Sequence, residues 1–202
     1  MRARRHVVVF LRAPQLGRVK SRLAAGIGAL AALRFYRETS LALLRRLARD
    51  PRWCCHIAAT PDRARFPRWP AAARLGQGSG DLGRRMARAF VALPPGPALI
   101  IGSDIPALTA RHVESAFRAL GRSDAVFGPA PDGGYWLVGF RRRPLPRGVF
   151  AGVRWSSAHA LADTLQTLPR GMRVLRLETL EDVDDAASYR RWRQRRCERR
   201  SM

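Results

Sequence analysis

Ile100-Ile101-Gly102-Ser103-Asp104-Ile105-Pro106 is the stretch whose reading decides the fold. Residues 98–101 form an apolar run that predicts a buried strand. Gly102 ends it, and the next ionisable residue is a single carboxylate, Asp104. Pro106 cannot continue a sheet ladder, so the chain must leave the sheet there. Thr109 then stands as the N-cap of a helix running to about Leu120. Strand, acid, turn and helix in this order are how an open α/β sheet presents a carboxylate at the carboxyl ends of its strands, where such sheets bind ligands. An aspartate held there suits Mg²⁺ or Mn²⁺ bridging to phosphate. A plainer reading stands beside it, in which Asp104 only organises the turn before Thr109. The surrounding chain decides between them.

Toward the N-terminus, residues 7–11 are apolar throughout and predict a central parallel strand. A loop follows, from Arg12 through Pro14 and Gly17 to Lys20, Ser21, Arg22 and Leu23, with four cations in eleven residues. Strand, glycine-containing basic loop and helix form a phosphate-binding layout, in which backbone amides and the helix N-terminus add to the cations. The glycine spacing of a Walker A loop is missing. Lys20 is the only lysine among 38 basic residues. One lysine in an arginine-rich chain suggests a site wanting a compact point charge; survival of a single codon by chance is the alternative. Residues 29–49 predict a long amphipathic helix stopped at Asp50-Pro51, and residues 54–59 a second strand. In Gln77-Gly78-Ser79-Gly80-Asp81-Leu82-Gly83, three glycines in six residues let backbone approach a ligand closely, or simply open a helix capped by Ser79 or Asp81.

Toward the C-terminus, residues 125–128 and 135–140 read as a strand and its return through Asp132-Gly133-Gly134. That turn is a hairpin, and equally a place where an acceptor or sugar lies against backbone beside Asp132 and Tyr135. A serine at 156 or 157 caps a helix to about Leu168, and residues 174–177 form a late strand. Residues 178–185 then hold five of the chain's fifteen acids. Asp182 and Asp184 alternate around Val183, so in an extended segment they point to one side. They repel unless something positive sits between them: arginines, or a divalent cation shared with Asp104. Strands and helices alternate through most of the chain, which predicts a three-layer α/β/α domain on a mainly parallel sheet, made mixed by the return at 135–140. One domain over residues 1–193 is expected, with a basic tail over 194–202.

Composition narrows the function classes. The chain has 202 residues and is 47% hydrophobic, a globular balance. No apolar run reaches the roughly 18 residues of a membrane span. The basic start leads into an apolar run too short for a secretory signal, so a cytoplasmic protein is expected. Cys54, Cys55 and Cys197 have no metal-ligand spacing; the adjacent pair reads as buried small hydrophobes. The net charge of +23 attracts polyanions at low salt, so a basic nucleic-acid-binding module is a competing hypothesis. Against it, the arginines are spread along the chain and no reading motif accompanies them, so nucleic acid is expected to bind non-specifically if at all. Seven arginines among residues 190–200 read as a solvated helix face or a frayed tail.

Six ordered segments together resemble one family: Arg12-Ala-Pro-x-x-Gly17-x-Val-Lys20-Ser21-Arg22-Leu23, Gln77-Gly-x-Gly80-Asp81-Leu82-Gly83-x-Arg85-Met86, Gly102-Ser-Asp104-x-Pro106, Gly128-Pro-x-x-Asp132-Gly-Gly-Tyr135, Phe150-x-x-Val-x-Trp155-Ser156 and Asp182-Val-Asp184. They are similar to the DUF2064 proteins, which are glycosyltransferase-A-like and in part labelled arsenosugar-biosynthesis glycosyltransferases. Arg12 stands where that family usually has lysine, and Ser21 where threonine is common. The resemblance implies the nucleotide-diphospho-sugar transferase fold. More distantly, the chain resembles 2-phospholactate and molybdenum-cofactor guanylyltransferases. The expected protein is a metal-dependent transferase taking a nucleotide-sugar, or a nucleotide in a nucleotidyl transfer, and a small-molecule acceptor. Arg12, Gly17, Lys20 and Arg22 are expected to hold phosphates, with Gly80 and Asp81 at the base or ribose. Asp104, Asp182 and Asp184 are expected to carry Mg²⁺ or Mn²⁺. Asp132, Gly133, Gly134, Tyr135 and Trp155 are expected to shape the acceptor pocket, and Asp104, Lys20 and Asp132 to serve the chemistry.

Overall fold

A computed structural model describes residues 3–64, 66, 68–141 and 145–198. In chain order the elements are β1 (His6–Arg12), α1 (Ser21–Ile27), α2 (Ala29–Ala48), β2 (Cys54–Thr60), β3 (Ala73–Gly76), α3 (Leu82–Ala92), β4 (Ala98–Gly102), α4 (Ala110–Leu120), β5 (Ala125–Pro129), β6 (Tyr135–Phe140), α5 (Ala160–Gln166), β7 (Val174–Arg176) and α6 (Ala186–Glu198). The seven strands make one sheet in the order β3-β2-β1-β4-β6-β5-β7. β1 lies between β2 and β4 and runs parallel to both, as its apolar run predicts. β6 is antiparallel to β4 on one side and to β5 on the other, so the return at 135–140 is what makes the sheet mixed.

Strand periodicity divides the core into two layers. Val7, Val9, Leu11, Leu99 and Ile101 pack with Leu43, Leu44 and Leu47 of α2 and Val113 and Phe117 of α4. Their strand neighbours Val8, Ala98 and Ile100 face the other way, against Met86, Ala89 and Phe90 of α3. A third cluster joins α1, α2 and the segment before α6 through Leu23, Phe35 and Val183, with Tyr189 and Trp192 against it. Residues after β7 stay extended. Leu177 N donates to Phe127 O, Leu180 N to Pro129 O and Val183 N to Asp104 O. That path delivers the acidic segment to the carboxyl end of β4.

Several local expectations change. Lys20 ends the basic loop in a left-handed conformation (φ 53°) and starts α1, a separate short helix. β3 is an added edge strand, and its exposed, arginine-bearing sequence gives no apolar signal. Cys54 and Cys55 open β2, paired with His6 and Val7 of β1, and are half-buried there, with Cys55 against the margin of the core. No serine caps α5: His159 occupies the cap position, and Ser157 instead accepts from His159 N within the preceding turn. α6 continues to Glu198, so the chain has no break at 193; the remainder of the expected tail, residues 199–202, lies outside the described residues. No helix among the described residues is long and apolar enough to cross a membrane.

Gly83 sits inside α3, where alanine is ordinarily the better helix former by about 1 kcal/mol. A Cβ there would lie 2.7 Å from the Phe150 Cβ and carbonyl oxygen and 2.8 Å from the Trp155 ring. Gly83→Ala is therefore expected to destabilise the protein by about 1–3 kcal/mol, measured by denaturant unfolding, against its helix propensity.

Candidate active site

The carboxyl ends of β1 and β4 lie side by side, and Tyr36 of α2 ties them together. Its hydroxyl accepts from Arg12 N at 2.9 Å, faces Arg12 O, and lies 3.2 Å from the Ser103 hydroxyl. Burial, before any other cause, pushes its phenol pKa up. Gln77 does the same for β1 and β2, donating from Nε2 to Leu11 O and to Ala58 O. These two buried polar residues are organisers that amphipathic patterning cannot reveal, since each reads locally as part of a helix face or a loop.

Against this frame the structure gathers Lys20, Arg22, Asp104, Asp182 and Asp184. Lys20 Nζ lies 2.5 Å from Asp104 Oδ2 and 3.3 Å from Asp184 Oδ1, with only 5% of the lysine side chain exposed. Burial opposes its charge, but Asp104 foremost, then Asp184 and Asp182, outweigh that and raise its pKa. The ammonium is thus permanently charged at neutral pH. Arg22 reaches Asp184 Oδ2 at 3.2 Å from a mostly exposed position. A left-handed backbone at a non-glycine residue is costly and is kept only where surroundings over-determine it; here the carboxylates do so.

Lys20 lies between Asp104 and Asp184 and pairs with both. Asp104, Asp182 and Asp184 lie near enough for their charges to act on one another, although no group of three or more His, Cys, Asp or Glu side chains is arranged to hold a metal ion among the described residues. Asp182 is different. Its carboxylate makes no ion pair or hydrogen bond among the described residues, although the Lys20 charge bears on it from a distance. Burial, then Asp104, push its pKa up to about 6; Lys20 offsets this in part, and Asp132 and Asp184 add to the rise. A half-buried carboxylate beside another, short of positive charge in a chain of +23, is a fitting donor set for a hard divalent cation.

The remaining candidates divide. Asp132 is exposed on the rim of the cluster and accepts from Gly134 N through Oδ1. Gly133 (φ 83°) packs its backbone on Ala158, and its carbonyl accepts from Leu161 N, so the 131–134 turn is fixed on the start of α5. Tyr135 turns its hydroxyl toward α5. Its hydroxyl lies 3.3 Å from Thr164 Oγ1, and burial drives its pKa strongly upward. Trp155 packs on Phe150, Tyr135 and Gly83, and its indole Nε1 is buried without a hydrogen-bond partner among the described residues. Gly17 (φ 72°) forms the turn of the basic loop, and Asp81 caps α3 by accepting from Arg84 N at 2.7 Å. A groove of about 880 Å³ opens past the cluster, touching Ile105, Pro106, Pro131, Leu180, Val183 and Trp192. The arginines at the end of α6 are not a free polycation: Arg191 and Arg195 pair with Glu181.

The fold and this sheet-edge cluster define a nucleotide-diphospho-sugar-transferase-like protein. The chain belongs to the DUF2064 family, described as an uncharacterized protein conserved in bacteria, whose model matches residues 43–157. A solved structure from Desulfovibrio desulfuricans G20, named as a candidate nucleotide-diphospho-sugar transferase, is 33% identical, with TM-score 0.81 over 90% of this chain and 82% of that one. The fold is also similar to 4-diphosphocytidyl-2C-methyl-D-erythritol synthase from Anaerococcus prevotii DSM 20548, at 12% identity and TM-score 0.55 over 91% and 92% of the two chains. It is similar too to Rv0371C of Mycobacterium tuberculosis H37Rv in complex with manganese, at 15% identity and TM-score 0.50 over 94% and 98%. No functionally curated protein matches. The 33% identical structure supports a transferase at this coarse level, and the more distant ones share its fold.

Proposed function

We propose that this protein is a divalent-metal-dependent glycosyltransferase using a nucleotide-sugar donor. The observation that carries the reading is the juxtaposition of Lys20, Asp104 and Asp184 with Asp182, whose carboxylate makes no ion pair or hydrogen bond among the described residues, at the carboxyl ends of β1 and β4. The manganese complex of Rv0371C, a protein of similar fold, lends support to the choice of metal. Asp104 and Asp182 would hold Mg²⁺ or Mn²⁺, whose contribution when bound is to neutralise charge on the leaving diphosphate. Lys20 fixes the Asp104 carboxylate through its 2.5 Å contact and keeps Asp104 and Asp184 from repelling. An acceptor hydroxyl forms the new bond to the anomeric carbon as the bond to the diphosphate oxygen breaks, and the nucleoside diphosphate leaves with the electron pair. Asp132, on the rim, would take the hydroxyl proton. Positioning and charge neutralisation supply most of the rate in such a site.

Incubation with a panel of nucleotide-sugars and Mn²⁺ tests this. Release of nucleoside diphosphate, by transfer or slow hydrolysis, is expected. Release of pyrophosphate from a nucleoside triphosphate would instead assign nucleotidyl transfer, and binding of neither class, with or without Mn²⁺, would overturn both. Nucleic-acid binding that survives loss of Asp104 would favour a basic binding module.

The lone lysine is open to a direct substitution. A guanidinium is broader than an ammonium and planar, and the site around Nζ is nearly closed. Lys20→Arg is expected to cost about 1–3 kcal/mol of stability by overpacking and to lower turnover roughly tenfold. Wild-type stability and turnover would show that the lysine is incidental.

A further inference from the structure

Arg85 has no part in the reading above, yet it is the unusual cation of this sheet edge. It lies in the first turns of α3, and its Nε is buried with no hydrogen-bond acceptor among the described residues. Arginine stays protonated in proteins, so that donor cannot be silenced by losing its proton. The two carboxylates that bear on it are already engaged by backbone. Asp62 accepts from Gln77 N and Gly78 N, and Asp81 accepts from Arg84 N. The other charge nearby has the same sign: Arg12, at the carboxyl end of β1, whose exposed guanidinium has no partner among the described residues. Burial first, then Arg12, depress the Arg85 pKa, and Asp62 and Asp81 offset this only in part. A buried guanidinium N–H without an acceptor, with a second cation near enough for its charge to be felt, makes a site that lacks an anion.

The surroundings suit a close approach. Gly78 (φ 69°) and Gly80 (φ 100°) hold left-handed backbone in the turn before α3, and a Cβ on either would strike an arginine side chain. Arg88 fixes that turn by donating to the carbonyls of Gln77 and Ser79. Meanwhile Lys20 and Arg22, expected from the sequence to hold phosphate, are occupied by Asp104 and Asp184. We infer that Arg12 and Arg85 form a two-guanidinium site for a phosphate group of the nucleotide substrate, beside the Gly78–Gly80 turn. The inference takes the nucleotide from the transferase reading; the need for an anion rests on Arg85 itself.

The test is the ¹H–¹⁵Nε arginine spectrum of the full chain at about 0.3 M salt, where exposed charges are largely screened. The Arg85 signal is identified by its loss in Arg85→Lys. Titration with inorganic pyrophosphate is expected to move that signal saturably. Arg12→Gln, on an exposed side chain that folding does not need, is expected to weaken the binding roughly 10- to 100-fold, the worth of one charge-assisted hydrogen bond. Arg118→Gln, on the surface of α4, is expected to leave it unchanged. An unmoved Arg85 signal, a uniform drift of all arginine signals, or wild-type affinity in Arg12→Gln would overturn the site. If pyrophosphate moves Arg85 but neither a nucleoside diphosphate nor a nucleotide-sugar competes, the anion site stands and the transferase reading fails. If a nucleotide binds and leaves Arg85 unmoved, the reverse holds.

Discussion

Asp104→Asn is expected to abolish Mn²⁺-dependent nucleotide binding and to lower turnover by about 10²–10³-fold, the usual cost of removing one fixed electrostatic element from a transition-state site. The substitution also strips Lys20 of its nearest counter-charge. Breaking one side of a nearly buried ion pair costs roughly 3 kcal/mol, so Asp104→Asn should melt earlier than the wild type. Loss of activity could then reflect loss of fold. The double variant Lys20→Met, Asp104→Asn separates the two, because removing both partners leaves no uncompensated buried charge. It is expected to recover most of the stability and none of the nucleotide binding. Recovery of both would assign Asp104 a purely structural role, the plainer reading of the turn before Thr109.

Asp182→Asn is expected to do the opposite to stability. The native Asp182 carboxyl is held at about 6, above its ordinary value of 3.8, so the native state binds that proton more tightly than the unfolded chain does. Stability contributed by the protonated form is therefore present below pH of about 4 and is lost as pH rises to about 6. At pH 7.5 the ionised carboxylate costs the native state up to about 3 kcal/mol, and partial exposure to water reduces this. Asparagine removes the charge. In EDTA at pH 7.5, Asp182→Asn should raise Tm by about 3–6 °C, the equivalent of 1–2 kcal/mol in a chain of this size. At pH 4.5 the difference should shrink. The same variant is expected to lose Mn²⁺-dependent turnover. A group that weakens the fold while serving the site is what a functional carboxylate looks like thermodynamically. Equal melting of the two proteins at both pH values would show that Asp182 is well solvated and carries no special charge burden.

Much of this was legible before any coordinates, for reasons that are local. The apolar run at 98–101, the acid at 104, Pro106 and the Thr109 cap are adjacent in sequence. The helix begins as expected, though His112 completes the capping box in place of a carboxylate or amide side chain. The alternation of Asp182 and Asp184 around Val183 also survives, because that segment is extended and Val183 is anchored in the core. What sequence could not supply is long-range pairing. Nothing near residue 137 says that β6 lies between β4 and β5, since either neighbour satisfies its apolar pattern. Nothing near residue 20 says that its ammonium lies against residues 104 and 184. Tyr135 and Trp155 read as pocket residues through the company they keep in sequence, whereas burial in the α3–α5 layer decided their place. Arg85 carries no local signal of its own in the sequence; only the burial of its Nε marks it.

The central claim is that Asp104 and Asp182 together hold a divalent ion required for nucleotide binding. Electron paramagnetic resonance of Mn²⁺ titrated into the full chain, with and without a nucleoside diphosphate, measures this most directly. One bound Mn²⁺ per chain in the presence of nucleotide is predicted, absent in Asp104→Asn and in Asp182→Asn. Retention of that bound ion in both variants would contradict the claim.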